Sequence, residues 1–138
     1  VKRLALAVVL LAMVLLIAPE TARTTPAVEQ GYASAYDPGV MEAVVVHRER
    51  HDIWRNEPPR DLQDVDGYIA AMDCSRVGQV TTLYGPDGRA YSVLVADCAG
   101  ADGPPDRFSR RRIIAELDGR MWAELTAAHG TPLAIGLR

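Results

Sequence analysis

Val80-Thr81-Thr82-Leu83-Tyr84, then Gly85-Pro86-Asp87-Gly88, then Arg89, then Ala90-Tyr91-Ser92-Val93-Leu94-Val95-Ala96-Asp97: this stretch decides the fold class. Val80, Thr82 and Tyr84 alternate along one side, the two-residue period of a strand. Pro86 presets φ for a turn and Gly88 supplies a positive φ. On the return strand Tyr91, Val93 and Val95 share one face, and Leu94 and Ala96 the other. Residues 77–97 therefore read as a β-hairpin with an apolar return strand ending in a carboxylate.

Upstream, Gly67 to Met72 is a short apolar strand running into Asp73-Cys74. Tyr32, Ser34 and Tyr36 alternate with Ala33 and Ala35 in a first strand that Asp37-Pro38-Gly39 stops. Met41 to His47, with Val44, Val45 and Val46 at its centre, reads as a second strand because β-branched residues favour extended backbone. Residues 47–66 are charged and contain Pro58-Pro59, the pattern of a long surface loop anchored by Ile53 and Trp54. Downstream, Gly100 to Pro105 is a second loop and Arg112 to Leu117 a further strand. Asp118 is placed to cap a helix carrying Met121, Leu125 and Ala128, which Gly130 and Pro132 end. Leu133, Ile135 and Leu137 alternate in a last strand. Many short strands with one short helix before the last predict a mainly β fold, a small closed barrel.

The N-terminal stretch follows another grammar. Lys2 and Arg3 precede an uncharged apolar run, Leu4 to Ala18, broken by Pro19 and Glu20. Such a run rises only about 22 Å as a helix, short of the roughly 30 Å hydrocarbon core. Residues 1–18 are expected to be a signal peptide or a short membrane anchor. Residues 19–30 are expected to be a linker, and 31–138 one folded domain. The expected location is extracytoplasmic, with membrane contact only through residues 4–18 if they are retained. Without residues 1–27 the chain carries 12 basic and 17 acidic residues, a net charge of −5 that argues against a nucleic-acid partner. Cys74 and Cys98 form an even pair, read first as a disulfide in an exported chain. Closing a loop of that length contributes about 3.5 kcal/mol in the chain-entropy model. A metal site is the weaker alternative, because neither Cys has a second ligand nearby in sequence.

Gly31-Tyr32-Ala33-Ser34-x-Tyr36, Ile69-Ala70-Ala71-Met72, Val77-Gly78-x-Val80, Gly88-Arg89-x-x-x-Val93-x-Val95-x-Asp97 and Arg112-Ile113-Ile114 occur in this order. Together they resemble the double-psi β-barrels of rare lipoprotein A, the expansins and barwin. The resemblance covers roughly residues 31–137 and implies a six-stranded barrel with one disulfide. It also implies a polysaccharide partner, such as the glycan strands of peptidoglycan, and no cofactor. Met72 stands where the family has a His, and Ala115 where it has a second acid, with Glu116 beside it.

Glycan cleavage needs a proton donor at the glycosidic oxygen, usually with a second carboxylate. The resemblance implies Asp97 as that donor, against the plainer role of a strand-end cap. Glu116 is the candidate second carboxylate, against an exposed strand position. Asp73 is brought toward Asp97 if Cys74 pairs with Cys98, and mutual repulsion would keep one of them protonated; bonding a backbone amide is its alternative. Trp54, Tyr32 and Tyr36 are candidate sugar-stacking platforms, Trp54 being the best exposed candidate. His47 and His51 lie four apart, but a zinc pair would need both on one helix face plus a third ligand, and the Val run beside them argues strand, so solvated or packing roles are expected and no metal site. Arg107, Arg110, Arg111 and Arg112 make a local positive patch. Two functions remain open: a glycan-cleaving enzyme resembling a lytic transglycosylase, and a non-catalytic glycan-binding or structural module.

Overall fold

The computed structural model describes residues 27–99 and 106–138; the expected signal segment lies outside them. Six strands close a barrel: β1 (Glu29–Ala35), β2 (Gly67–Ala71), β3 (Val80–Tyr84), β4 (Ala90–Cys98), β5 (Ile113–Leu117) and β6 (Leu133–Leu137). Around the barrel the order is β1-β5-β2-β4-β3-β6. β1 runs parallel to β5 and β2 parallel to β4, while the other pairs are antiparallel. The protein is thus mainly β, as the hairpin pattern requires. β1 starts at Glu29, inside the stretch read as linker.

The 80–97 hairpin forms as read, with Leu83 opposite Tyr91 and Tyr84 opposite Ala90. Gly88 has φ 80°, the left-handed value its turn demands. Ile69, Val93, Val95, Leu117 and Leu133 have no exposed surface and fill the barrel with the other inward residues. Beyond β5, Asp118 caps the expected helix, α3 (Gly119–His129), accepting from the Met121 amide at 2.8 Å. Its other oxygen accepts from the Tyr68 amide at 2.7 Å, so one buried carboxylate ties α3 to β2.

Two further helices depart from the expectation of a single one. The short α2 (Asp106–Arg111) precedes β5 and carries Arg110 and Arg111 in its last turn. The larger correction is α1 (Val40–His51), which replaces the strand expected at Met41–His47. Met41 and Val45 are buried, while Val44 and Arg48 are half-buried, so the inward positions follow the three-and-four spacing of a helix face. Glu42 in the first turn and Arg48, Arg50 and His51 in the last complement the helix dipole. Asp52, in the left-handed region with φ 50°, ends the helix and returns its amide to the Arg48 and Glu49 carbonyls. Local β propensity loses because the outer wall of β2 and β4 offers a surface for this face. Ala70, Ala96 and Ala99 form that surface with Met41 and Val45, and their small side chains let the helix settle against the strands.

Cys74 and Cys98 are joined in a disulfide across 24 positions, with Cα atoms 4.9 Å apart. It is consistent with an oxidising, extracytoplasmic compartment. Among the described residues no helix is long and apolar enough to cross a membrane.

Candidate functional site

The site begins with a break in alternation. Along β4, Val93 and Val95 point into the barrel, and regular alternation would send Asp97 there too. The pairing with β2 slips instead: Ile69 lies opposite Val95, and the next residue, Ala70, lies opposite Asp97. Ala96 is the extra residue of a bulge, and both Ala96 and Asp97 come to the outer face beneath α1. Re-aiming a side chain is what a bulge does well.

The register then sets a polar row across four neighbouring strands. Asp97 on β4 pairs with Ala70 on β2, Ala70 with Glu116 on β5, and Glu116 with Ser34 on β1. Asp97 and Glu116 are therefore two strands apart at one level, roughly 10 Å between backbones at the usual strand spacing. The Ser34 hydroxyl donates to Glu116 Oε1 at 3.2 Å.

Two donors hold Asp97. The Tyr36 hydroxyl donates to Oδ2 at 2.6 Å, and Arg48 Nη2 to Oδ1 at 2.8 Å. Arg48 stands one helical turn beyond Val45, so the packing that seats α1 also delivers the guanidinium. Its Nη1 donates to the Ile53 carbonyl at 3.2 Å, and its guanidinium carbon lies 5.9 Å from the Trp54 ring centroid. The Arg48 and Asp97 side chains are only 19% and 22% exposed, so the pair is shielded but reachable. Burial, and then the hydrogen bond to Asp97, push the Tyr36 phenol far above its ordinary value; the charges of Asp97 and Glu116 act in the same direction. Tyr36 stays neutral and keeps donating.

Asp97 opens on a groove of about 360 Å³ lined by Val40, Ala43, Val44, His47, Arg48 and Ile53. Val40 and Ile53 are 43% and 46% exposed, making an apolar wall beside an ion pair. Asp97 thus faces the groove, with Glu116 two strands away at the same level. Asp73 is elsewhere in its chemistry: its carboxylate accepts from the Ser75 amide and hydroxyl at 2.9 and 2.7 Å, capping a 3-10 turn at Cys74–Arg76. Those two bonds hold it below the usual carboxylate range, the reverse of a protonated acid. The aromatic expectations change too. Trp54 is not an exposed platform but half-buried, bridging the barrel core and the layer under α1. Tyr36 is committed to Asp97, and Tyr32, though exposed, lies outside the groove.

Arg48 is the site residue that sequence reasoning missed, and His47, weighed there only as a metal ligand, also lines the groove. The spacing of Met41, Val45 and Arg48 was the available signal, obscured by three consecutive valines. The segment after α1 follows the barrel, pinned where the Asn56 side chain donates to the Ser75 and Val77 carbonyls at 2.7 and 2.8 Å. Gly78 is required there: a Cβ would stand 2.3 Å from the Asn56 carbonyl oxygen. No protein-family model, curated protein or solved structure matches the chain.

Proposed function

We propose that this is an extracytoplasmic double-psi barrel that engages polysaccharide through the Asp97 groove, acting as a binding module. The closed six-stranded mixed barrel is compatible with the resemblance in the sequence, and the disulfide with export. The observation that carries the reading is the state of Asp97. Both of its oxygens already accept from fixed donors, yet the carboxylate faces an open groove. A general acid must present an oxygen whose proton is free to move to substrate. A carboxylate clamped by a guanidinium and a phenol instead offers its remaining lone pairs to hydroxyl donors, and Arg48 offers N–H groups beside it. Val40, Val44 and Ile53 suit the apolar face of a pyranose. The partner class is a cell-wall or extracellular polysaccharide, peptidoglycan glycan strands among them.

A second reading, cleavage in the manner of a lytic transglycosylase, draws support from Asp97 and Glu116 standing at one level on either side of Ala70. Asp97→Asn separates the two. The binding module is expected to sediment with insoluble peptidoglycan or cellulose-like polymer without releasing soluble sugar. Folded Asp97→Asn is then expected to bind about 10- to 100-fold more weakly, the scale of a lost hydrogen bond to a charged group. Soluble product from the native protein, lost in an Asp97→Asn variant that still binds, would establish the second reading. Unchanged binding in Asp97→Asn would remove the groove from the account.

A further inference from the structure

We propose that His47 and His51 form a two-imidazole site for a divalent transition-metal ion of the zinc, nickel and copper class, at the rim of the Asp97 groove. The site depends on α1 being a helix. A strand would send residues four apart to the same face but about 13 Å along it. A helix stacks them one turn apart. The two rings lie 4.6 Å centroid to centroid, tilted by 50°. Both side chains are exposed, and neither makes a hydrogen bond to any described residue. Zinc sits about 2.0–2.1 Å from an imidazole nitrogen. Rings already side by side reach one ion by side-chain rotation, with the helix unmoved.

Charge and ligand type narrow the occupant. Imidazole suits zinc, copper and nickel, whereas calcium and magnesium want oxygen. His51 lies in the last turn of α1, where the carbonyl ends of the helix favour a cation. The guanidinium of Arg48, half-buried on the same helix, is neutralised by Asp97; Arg50, exposed in the same turn, is the opposing charge. Among the described residues no group of three or more His, Cys, Asp or Glu side chains gathers. The ion would therefore keep water on its remaining positions. Because His47 lines the groove, those positions face it and can take oxygen ligands from whatever enters. This inference does not depend on the polysaccharide reading.

Tag-free protein titrated with zinc, and separately with nickel, in a non-coordinating buffer tests the site. Saturable binding of one ion per chain is expected. His47→Gln and His51→Gln should each weaken it at least tenfold, and the double variant should abolish it. The side chains are exposed, so the metal-free variants should melt with the native protein; zinc should raise the melting temperature of the native protein and leave the double variant unchanged. In proton spectra the His47 and His51 ring signals should move together on zinc addition. His129, which sits 3.8 Å from Asp87 on another face, is the internal control. No saturable binding, binding indifferent to either substitution, or a response centred on His129 overturns the proposal and leaves the two rings as a packing contact.

Discussion

The inner and outer faces of the same barrel wall are built on opposite rules. Inside, Ile69, Val93, Val95 and Leu117 are sealed within one apolar core. Outside, Ala70 and Ala96 lie under a helix, while Asp97 and Glu116, with Ser34 on neighbouring β1, form a polar row. The inner face has one solution, close packing of branched side chains. The outer face is divided: α1 covers part of it and leaves a groove where its edge meets Asp97. The sealed core and the open groove are thus separated by a single change of side, made at the bulge around Ala96.

That separation can be broken from the inside first. Leu117→Ala should cost about 2–5 kcal/mol, the range for a buried leucine that leaves a cavity. Met41→Ala, equally buried but on the inward face of α1, should cost less because a helix can settle onto its support around a smaller side chain more readily than a closed sheet. Equal losses in chemical denaturation would show the helix to be as rigidly held as the barrel. Next comes the disulfide. Replacing Cys74 and Cys98 together by Ala should lower stability by about 3.5 kcal/mol and leave groove binding intact, since the loop-closure contribution acts through the unfolded chain.

Trp54 bridges the two layers, and its truncation should show in both. Trp54→Ala is expected to cost about 2 kcal/mol, roughly half the loss for a fully buried aromatic. It should also weaken groove binding indirectly, since Arg48 loses the ring beneath it. A melting temperature unchanged in Trp54→Ala alongside lost binding would return Trp54 to the role of a surface platform.

The smallest effect is confined to the outer face and to alkaline pH. The phenol of Tyr36 ionises less readily folded than unfolded. An unfolded tyrosine loses its proton near pH 10, so above that the unfolded state binds fewer protons and stability falls with rising pH. The contribution is fully present below about pH 10 and is lost as pH climbs toward the folded value. Tyr36→Phe removes it, so the stability gap between native protein and Tyr36→Phe should narrow from about pH 9 to about pH 11. A gap that stays constant would mean that the bond to Asp97 does not distinguish the two states.

Much of the barrel was legible because its evidence is local. The 80–97 hairpin carries its turn chemistry and its alternation in one stretch, and Asp118 announces α3 three residues ahead of the amide it caps. The disulfide followed from an even pair of cysteines in a chain whose N-terminal stretch reads as an export signal. Asp97 and Glu116 were singled out from motif positions, and Asp73 was offered an amide-bonding role beside its catalytic one. What failed was α1. Val44-Val45-Val46 has the composition of a strand, and the periodicity of Met41, Val45 and Arg48 is short. Its outcome rested on Ala70, Ala96 and Ala99, small residues distant in sequence. Arg48, the groove and the place of His47 beside it were lost with it, and Trp54 was placed in solvent because its cover comes from that helix.

The amino-acid sequence by itself determined the fold class, the hairpin, the capped helix α3 and the cysteine pairing, because each depends on neighbours along the chain or on covalent chemistry. Only the tertiary structure decided which way Asp97 faces. Alternation alone points it into the barrel, where an unpaired carboxylate would lose its hydration without compensation. The bulge beside β2 turns it outward, and α1 and the residue just after β1 supply the guanidinium and the phenol that hold it. Those donors come from 49 and 61 positions away, and no local pattern encodes a meeting at that distance.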